Sequence, residues 1–349
     1  MGLVVAGYGP LLEHLTRRFN VSLPVAGATI SVQFAGGLAG VLVAMQSIER
    51  LPARVTVGAS CVVASLGLAI AAFAPEWPQF LAGVFVFGLG FGGLDLGLNQ
   101  VVAYSEGRRR TALLNALNSA YPAGAVAGPI LVSAFAGEHF SALFLVVSVA
   151  WLLLLPGVLR ITGRVPVGIE PARWPGRLVM LFVVAFVLYV AMEVGTGGWM
   201  TSHLEAVGFG SDSAAKLTSA FWLALVTGRL LIALVPPSVR EGTVVLIASA
   251  AATVALSLAT IGALAPIAYV AAGLVMAPIF PTGIVWLAKL RPGDSRATAW
   301  LYPAAAVGGA LGPGAIGIVI AEAGVEWAPA VLAVVAAAMY AAFLAASRR

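Results

Sequence analysis

The segment GLDLGLN (93–99) places Asp95, and one helical turn later Asn99, inside an apolar run (80–104) that carries no other charge. A charge at the centre of a bilayer costs at least about 2.5–3.5 kcal/mol, so such a residue faces a wet cavity or a partner and marks an ion or proton path. A carboxylate in that position can take a proton on one side of a membrane and release it on the other. Asn99 shares its face at i+4 and can hold either a solute hydroxyl or the carboxylate itself.

A second deep acid is Glu193, which shares a helix face with Tyr189 and Thr196, with Trp199 adjacent. Gln33, Asn115 and Asn118 are amides within other apolar runs. An amide offers both a donor and an acceptor, which suits the vicinal hydroxyls of a sugar, while aromatic rings suit its C–H faces. Each amide taken singly serves equally well as glue between helices. Their occurrence in both halves of the chain points to a polar, neutral ligand. Arg229, in TGRLL, either neutralises an acid or snorkels to the membrane face as an anchor, and the anchor is the favoured reading.

The elements that must position these groups follow from composition. The 349 residues are 61% hydrophobic and only 9% charged, against about 25% charged in a soluble domain. So few charges cannot cover a water-facing surface, and the chain reads as an all-α integral membrane protein with the lipid bilayer as its solvent. The calculated pI near 9.7 does not imply nucleic acid, because the arginines lie in short connections between apolar runs, as the positive-inside rule requires. Cys61 stands alone, which excludes a disulfide framework and a thiolate metal site.

A bilayer crossing needs about 20 apolar residues. Twelve segments are predicted, at 1–19, 24–48, 55–74, 78–104, 111–136, 140–159, 178–200, 214–235, 243–263, 266–288, 297–321 and 327–346. Basic residues fall in alternate connections: Arg50 with Arg54, then Arg108 to Arg110, Arg160 to Arg177, Arg240, Lys289 to Arg296, and Arg348 with Arg349. The expectation is a plasma-membrane protein with both termini cytoplasmic, and with Glu49, Arg50 and Arg54 at a cytoplasmic gate. Arg17, Arg18 and Lys216 break the pattern, each near the outer end of a segment. The first segment is apolar only to residue 12. A helix 1 that lacks part of its length, with the true start upstream, is expected in preference to a cleaved signal peptide.

The polar stretch RITGRVPVGIEPARWPGR (160–177) divides the chain into residues 1–159 and 178–349, six segments each. The halves repeat: NSAYPAGAVAGP (118–129) and WLYPAAAVGGALGP (300–313) both carry Tyr-Pro early and Gly-Pro late. Two parallel six-helix bundles around a central cavity describe the major facilitator fold. No phosphate loop, metalloprotease motif or nucleophilic serine site is present, and neither a filter loop nor charge rings suggest a channel. An enzyme is not expected, and no cofactor or metal is required. The expected driving force is a proton gradient, with sodium the alternative, and the partner is a small-molecule solute.

GLGFGGLDLGLNQVV (88–102) followed by RRRTALLNALNSAYPAGAVAGP (108–129) resembles the fucose–proton symporter family of the major facilitator superfamily. YVAMEVGTGGWMTSHL (189–204), FWLALVTGRLL (221–231) and APIFPTGIVWL (277–287) are similar to that family's helices 7, 8 and 10. The resemblance implies proton-coupled sugar uptake by a monomer, with Asp95 in the place of the proton-carrying acid of helix 4. The superfamily's loop signature is reduced to ERLPAR (49–54), and no acid precedes Glu13 in helix 1, where the fucose carriers have one. Two other readings stay open: a proton-driven exporter of amphipathic compounds on the same fold, and a non-transporting membrane sensor or scaffold.

Overall fold

The computed structural model describes residues 2–103, 110–161, 176–231, 239–291, 297–298 and 300–348. Side chains 49, 100, 103, 110–116, 118–119, 122, 136–140 and 302 lie outside that description. The elements are α1 (Gly2–Phe19), α2 (Leu23–Arg50), α3 (Ala53–Phe73), α4 (Trp77–Ala103), α5 (Arg110–Leu153) and α6 (Leu155–Val158). They continue as α7 (Arg177–Ala206), α8 (Ser211–Leu231), α9 (Glu241–Leu258), α10 (Ala265–Met276), α11 (Ile279–Leu290), α12 (Leu301–Ala323) and α13 (Ala328–Ser347). Among the described residues, nine helical spans are long and apolar enough to cross a bilayer. Large apolar side chains such as Phe73, Ile267, Ile318 and Val334 point outward, which lipid tolerates and water does not.

Local sequence sets the ends. Leu51 precedes Pro52, so it is held extended (φ −112°, ψ 156°) and α2 stops there. Proline occupies the first turn of α2, α10 and α13, where the missing N–H costs no hydrogen bond.

Residues 111–136 and 140–159, expected as separate crossings, share one assigned helix from Arg110 to Leu153, while Ser141–Val158 stands as a crossing of its own. The contacts still define two legs. Gly128 meets Leu3, and Gly7 meets Val132, so the first leg runs parallel to α1. Ser148 and Ser65 share two hydrogen bonds of 2.8 and 2.9 Å, while Arg18, at the end of α1, reaches both Ser141 and the Ala74 carbonyl, so the second leg runs back along α3. The expected segment 266–288 is found as a single crossing, Ala265–Leu290, with its helix interrupted at Ala277 and Pro278. Pro278 and Pro281 remove two amide donors within one turn, which interrupts the hydrogen-bond ladder there.

The sequence repeat reappears as a packing repeat. In the first half α1 lies on the first leg of α5, and in the second half α7 lies on α12. Gly128 of the first repeat approaches the Leu3 carbonyl, and Gly308 of the second approaches the Val187 carbonyl. Backbones also approach closely where α2 lies on α4: a Cβ at Gly88 would stand 2.1 Å from the Gln33 carbonyl and one at Gly92 1.9 Å from that of Gly37. Glycine is required there because any side chain drives the helices apart. Gly92→Leu is expected to abolish the monodisperse peak in size-exclusion chromatography, whereas Ile318→Ala on the lipid-facing surface leaves it intact. Overpacking against backbone exceeds the roughly 1–3 kcal/mol of an ordinary overpacked core.

Candidate functional site

The described arginines of the alternate connections, such as Arg50, Arg54, Arg177, Arg240 and Arg291, stand at one end of the helices they join, here called the basic end. Contacts between the halves lie toward the other end. Gly314 N–H donates to Ser31 Oγ (2.9 Å), Ser133 Oγ donates to Asp212 Oδ1 (3.1 Å), and Gly9 of α1 abuts Gly197 of α7. Trp199 belongs to this seal. Its indole N–H donates to the Pro313 carbonyl (3.1 Å), and its ring lies against Gly27 and Gly317.

On α4 the helical period puts Val84, Phe91 and Asp95 on one stripe. Gly88 and Gly92 face α2, and Gly90, Gly93 and Gly97 face α3. The remaining stripe points to the interior, where the Phe91 ring meets that of Tyr121 on α5 at 6.5 Å. Val84 is buried on this stripe, while Asp95, about 12 Å before the basic end of α4, is exposed. Asn99 Nδ2 donates to both the Asp95 carbonyl (2.8 Å) and Asp95 Oδ1 (3.2 Å). Among the described residues no cation pairs with Asp95.

The second acid is built differently. Glu193 Oε1 accepts from Arg229 Nη2 at 3.2 Å, joining α7 to α8, and the two side chains are 12% and 33% exposed respectively. On α8 the buried residues Thr218, Trp222 and Leu225 form the stripe that faces α7, and Arg229 continues it one turn further. Arg229 therefore turns inward onto an acid, and the snorkelling position favoured from sequence is not the one it takes. Tyr189, one turn before Glu193, is fully buried beside the Phe280 ring. Its hydroxyl has no hydrogen-bond partner of good geometry, and neither does Arg229 Nε.

Tyr121, beside Phe91 on the interior face, is near enough to Glu193, Arg229 and Asp95 for their charges to act on its hydroxyl. In the sequence Tyr121 is only a mark of the repeat; the signal that singles it out is a phenol on the interior face of an apolar helix, which needs a polar neighbour. Gln33 lies on the interior stripe of α2 with Ile30, which itself touches Gly198 of α7. Gln33 is completely buried, with both amide atoms unpartnered, as is the hydroxyl of Tyr8 on α1. Buried polar atoms without partners are rare in folded proteins and point to a water or ligand that supplies the contact.

The side chains of Asn115, Asn118 and Glu49 lie outside the described residues. Arg50 and Arg54 are exposed at the basic end, away from both acids. Thr196 is buried and donates to the Met192 carbonyl (2.7 Å). No group of three His, Cys, Asp or Glu able to hold a metal occurs among the described residues.

The chain is 22% identical to the sodium-dependent glucose transporter 1A of Mus musculus, over 91% of this chain and 86% of that protein. It is 24% identical to a gentisate transporter of Corynebacterium glutamicum, over 90% and 75% respectively. Among solved structures it is similar to a nucleoside transporter (TM-score 0.78, 14% identity, 99% of this chain and 96% of that one). It is also similar to a D-xylose–proton symporter (TM-score 0.73, 15% identity, 99% and 94%). At these identities the structural likenesses show the fold alone: two bundles of six helices spanning a membrane. The family model described as Major Facilitator Superfamily matches residues 1–267, and the chain belongs to that superfamily of membrane transporters.

Proposed function

We propose that this transporter is a proton-coupled symporter of a sugar or similar small polar solute, working by alternating access. The observation that carries the reading is the polar layer between the halves. Asp95–Asn99 lies on one side, Glu193–Arg229 on the other, and Tyr121 stands between them with unpartnered buried polar atoms nearby. Residues 1–159 and 178–349 act as the two rocking bundles and 160–177 as their cytoplasmic linker. Asp95 carries the coupling proton, with Glu193 as the second acid of the pathway. Gln33, Asn99, Asn115, Asn118 and Tyr189 contact the solute, and Trp199 closes the site from the outside. Glu49, Arg50 and Arg54 serve the cytoplasmic gate, and the monomer works in the plasma membrane with both termini inside.

Contacts between the halves at one end, and an exposed Asp95 near the other, are the arrangement of a carrier open toward its basic, cytoplasmic end. The motifs around Asp95 that resemble the fucose–proton symporter family support the sugar reading, as do the relatives named as glucose and xylose transporters. The rings of Phe186, Phe280 and Tyr189 beside the ion pair favour a second reading, export of amphipathic compounds. The test is uptake into proteoliposomes across a sugar panel, with pH and sodium gradients imposed separately. Accumulation of a sugar under the pH gradient alone is expected. Accumulation under sodium alone replaces the proton, and extrusion of amphipathic dyes without sugar uptake favours the exporter.

A further inference from the structure

Arg229 is more than Glu193 requires. A guanidinium offers five N–H donors in a fixed fork, and the described contacts use one, Nη2 to Glu193 Oε1 at 3.2 Å. Nε is buried and has no partner. The buried Tyr189 hydroxyl lies within reach of both members of the pair. Arg229 is also the more accessible of the two, at 33% against 12% for Glu193, so a solute entering the layer meets the cation before the acid. An ion pair whose only purpose is to hold two helices together has no use for a buried donor left unpaired at Nε.

We propose that the solute bears a carboxylate, as a sugar acid does, and that this group docks on Arg229 in place of Glu193. The inference rests on the symport reading and narrows its solute class. A planar carboxylate takes Nε and Nη2 together, the bidentate geometry for which arginine is suited and a hydroxyl is not. Glu193, released, keeps the Tyr189 hydroxyl as its partner. The charge count closes without further ions. In the empty carrier the layer holds Asp95 and Glu193 against Arg229, a net charge of −1. In the loaded carrier the solute adds one negative charge and the proton on Asp95 removes one, again leaving −1.

Among the described residues the groups facing Asp95 do not disturb this count. Asn99 lies on its own helix and Tyr121 on α5, and the α2 and α3 faces opposite α4 present Gly37, Gly40, Val57 and Ser60, none of them charged at neutral pH. Across the interface, among the described residues, Glu193 and Arg229 are the groups that act with Asp95 on Tyr121. A solute anion thus enters together with its proton, and the loaded carrier moves no net charge beyond that of the empty one.

The experiment uses the full chain in proteoliposomes, with D-glucuronate and D-glucose as a pair that differs at the acid. Under an inward pH gradient glucuronate is expected to accumulate, with an initial rate at least about tenfold above that of glucose. An added interior-negative potential of about 100 mV should leave the glucuronate rate unchanged. The paired variant Glu193→Gln/Arg229→Gln, which leaves no unpaired charge, should lose the preference for the acid, and Arg229→Lys should restore only part of it. Glucose accumulation that exceeds glucuronate and rises with the potential would overturn the carboxylate proposal and leave sugar symport standing. A glucuronate preference that persists in the paired variant would also overturn it. Accumulation of neither compound, nor of any other solute in the panel, removes the symport reading itself.

Discussion

The Asp95→Asn carrier is expected to exchange labelled for unlabelled solute at close to the wild-type rate, yet to accumulate none against a gradient. Asparagine has the size of aspartate and both donates and accepts hydrogen bonds. The link to Asn99, now made at 3.2 Å to Oδ1, therefore has a counterpart in the variant. What asparagine cannot do is release a proton. It mimics Asp95 fixed in its neutral form, the form in which the loaded carrier crosses between inward- and outward-facing states. Exchange uses only the loaded carrier, whereas net accumulation needs the empty carrier to return after losing its proton. The variant should also lose the pH dependence of binding that a titrating acid imposes. Counterflow and gradient-driven uptake, measured on the same vesicles, separate the two steps. Concentration of solute by Asp95→Asn under a pH gradient would remove Asp95 from the coupling role and pass it to Glu193.

The second large effect concerns the ion pair between α7 and α8. Glu193→Gln or Arg229→Gln alone leaves an uncompensated charge in a layer where both side chains are mostly covered. Breaking a buried pair by removing one partner costs about 3–5 kcal/mol, and the partial access of Arg229 to water puts this pair at the lower end. Each single variant should show a marked loss of thermal stability in detergent. The paired Gln variant should recover most of that loss, because two neutral amides replace the pair without a stranded charge. Additive losses in the paired variant would mean that the two residues are not coupled. A thermal-shift cycle over the four proteins decides it.

What could be read from the sequence follows from the kind of signal each feature leaves. Membrane class, the succession of helices and the repeat are properties of run length and composition, and the described helices follow the expected segments closely at both ends of most of them. The repeat was legible because its small residues do a job: Gly128 and Gly308 sit where a backbone carbonyl of another helix comes within 2.2–2.3 Å of a notional Cβ. The break at Ala277–Pro278 was hidden by apolarity, since hydrophobic counting passes over prolines that end a helix.

The candidate site was legible only in part. Asp95 and Asn99 are i, i+4 on one helix, a relation that sequence displays directly. Glu193 and Arg229 are separated by 36 positions, and no periodicity announces a pair that forms between two helices. Arg229 consequently read as an anchor at a helix end. Trp199 illustrates the opposite error, because closeness in sequence is not a shared face. Six residues from Glu193 the helix has turned by about 240°, which carries the indole into the seal against Gly27 and Gly317. Tyr121 was visible as a repeat mark, but its position between three charges is a fact of tertiary packing.

The central claim is that solute and proton move together through Asp95. The most direct measurement is proton flux driven by solute alone. Vesicles containing the reconstituted wild-type carrier and a trapped pH-sensitive dye, with equal pH and no sodium on either side, receive an inward gradient of D-glucuronate or D-glucose. The account predicts that the solute which exchanges in counterflow acidifies the lumen with the wild-type carrier. With Asp95→Asn the same solute should still exchange and the lumen should stay at its starting pH. Solute entry through the wild-type carrier with no acidification, or acidification undiminished in Asp95→Asn, would contradict it.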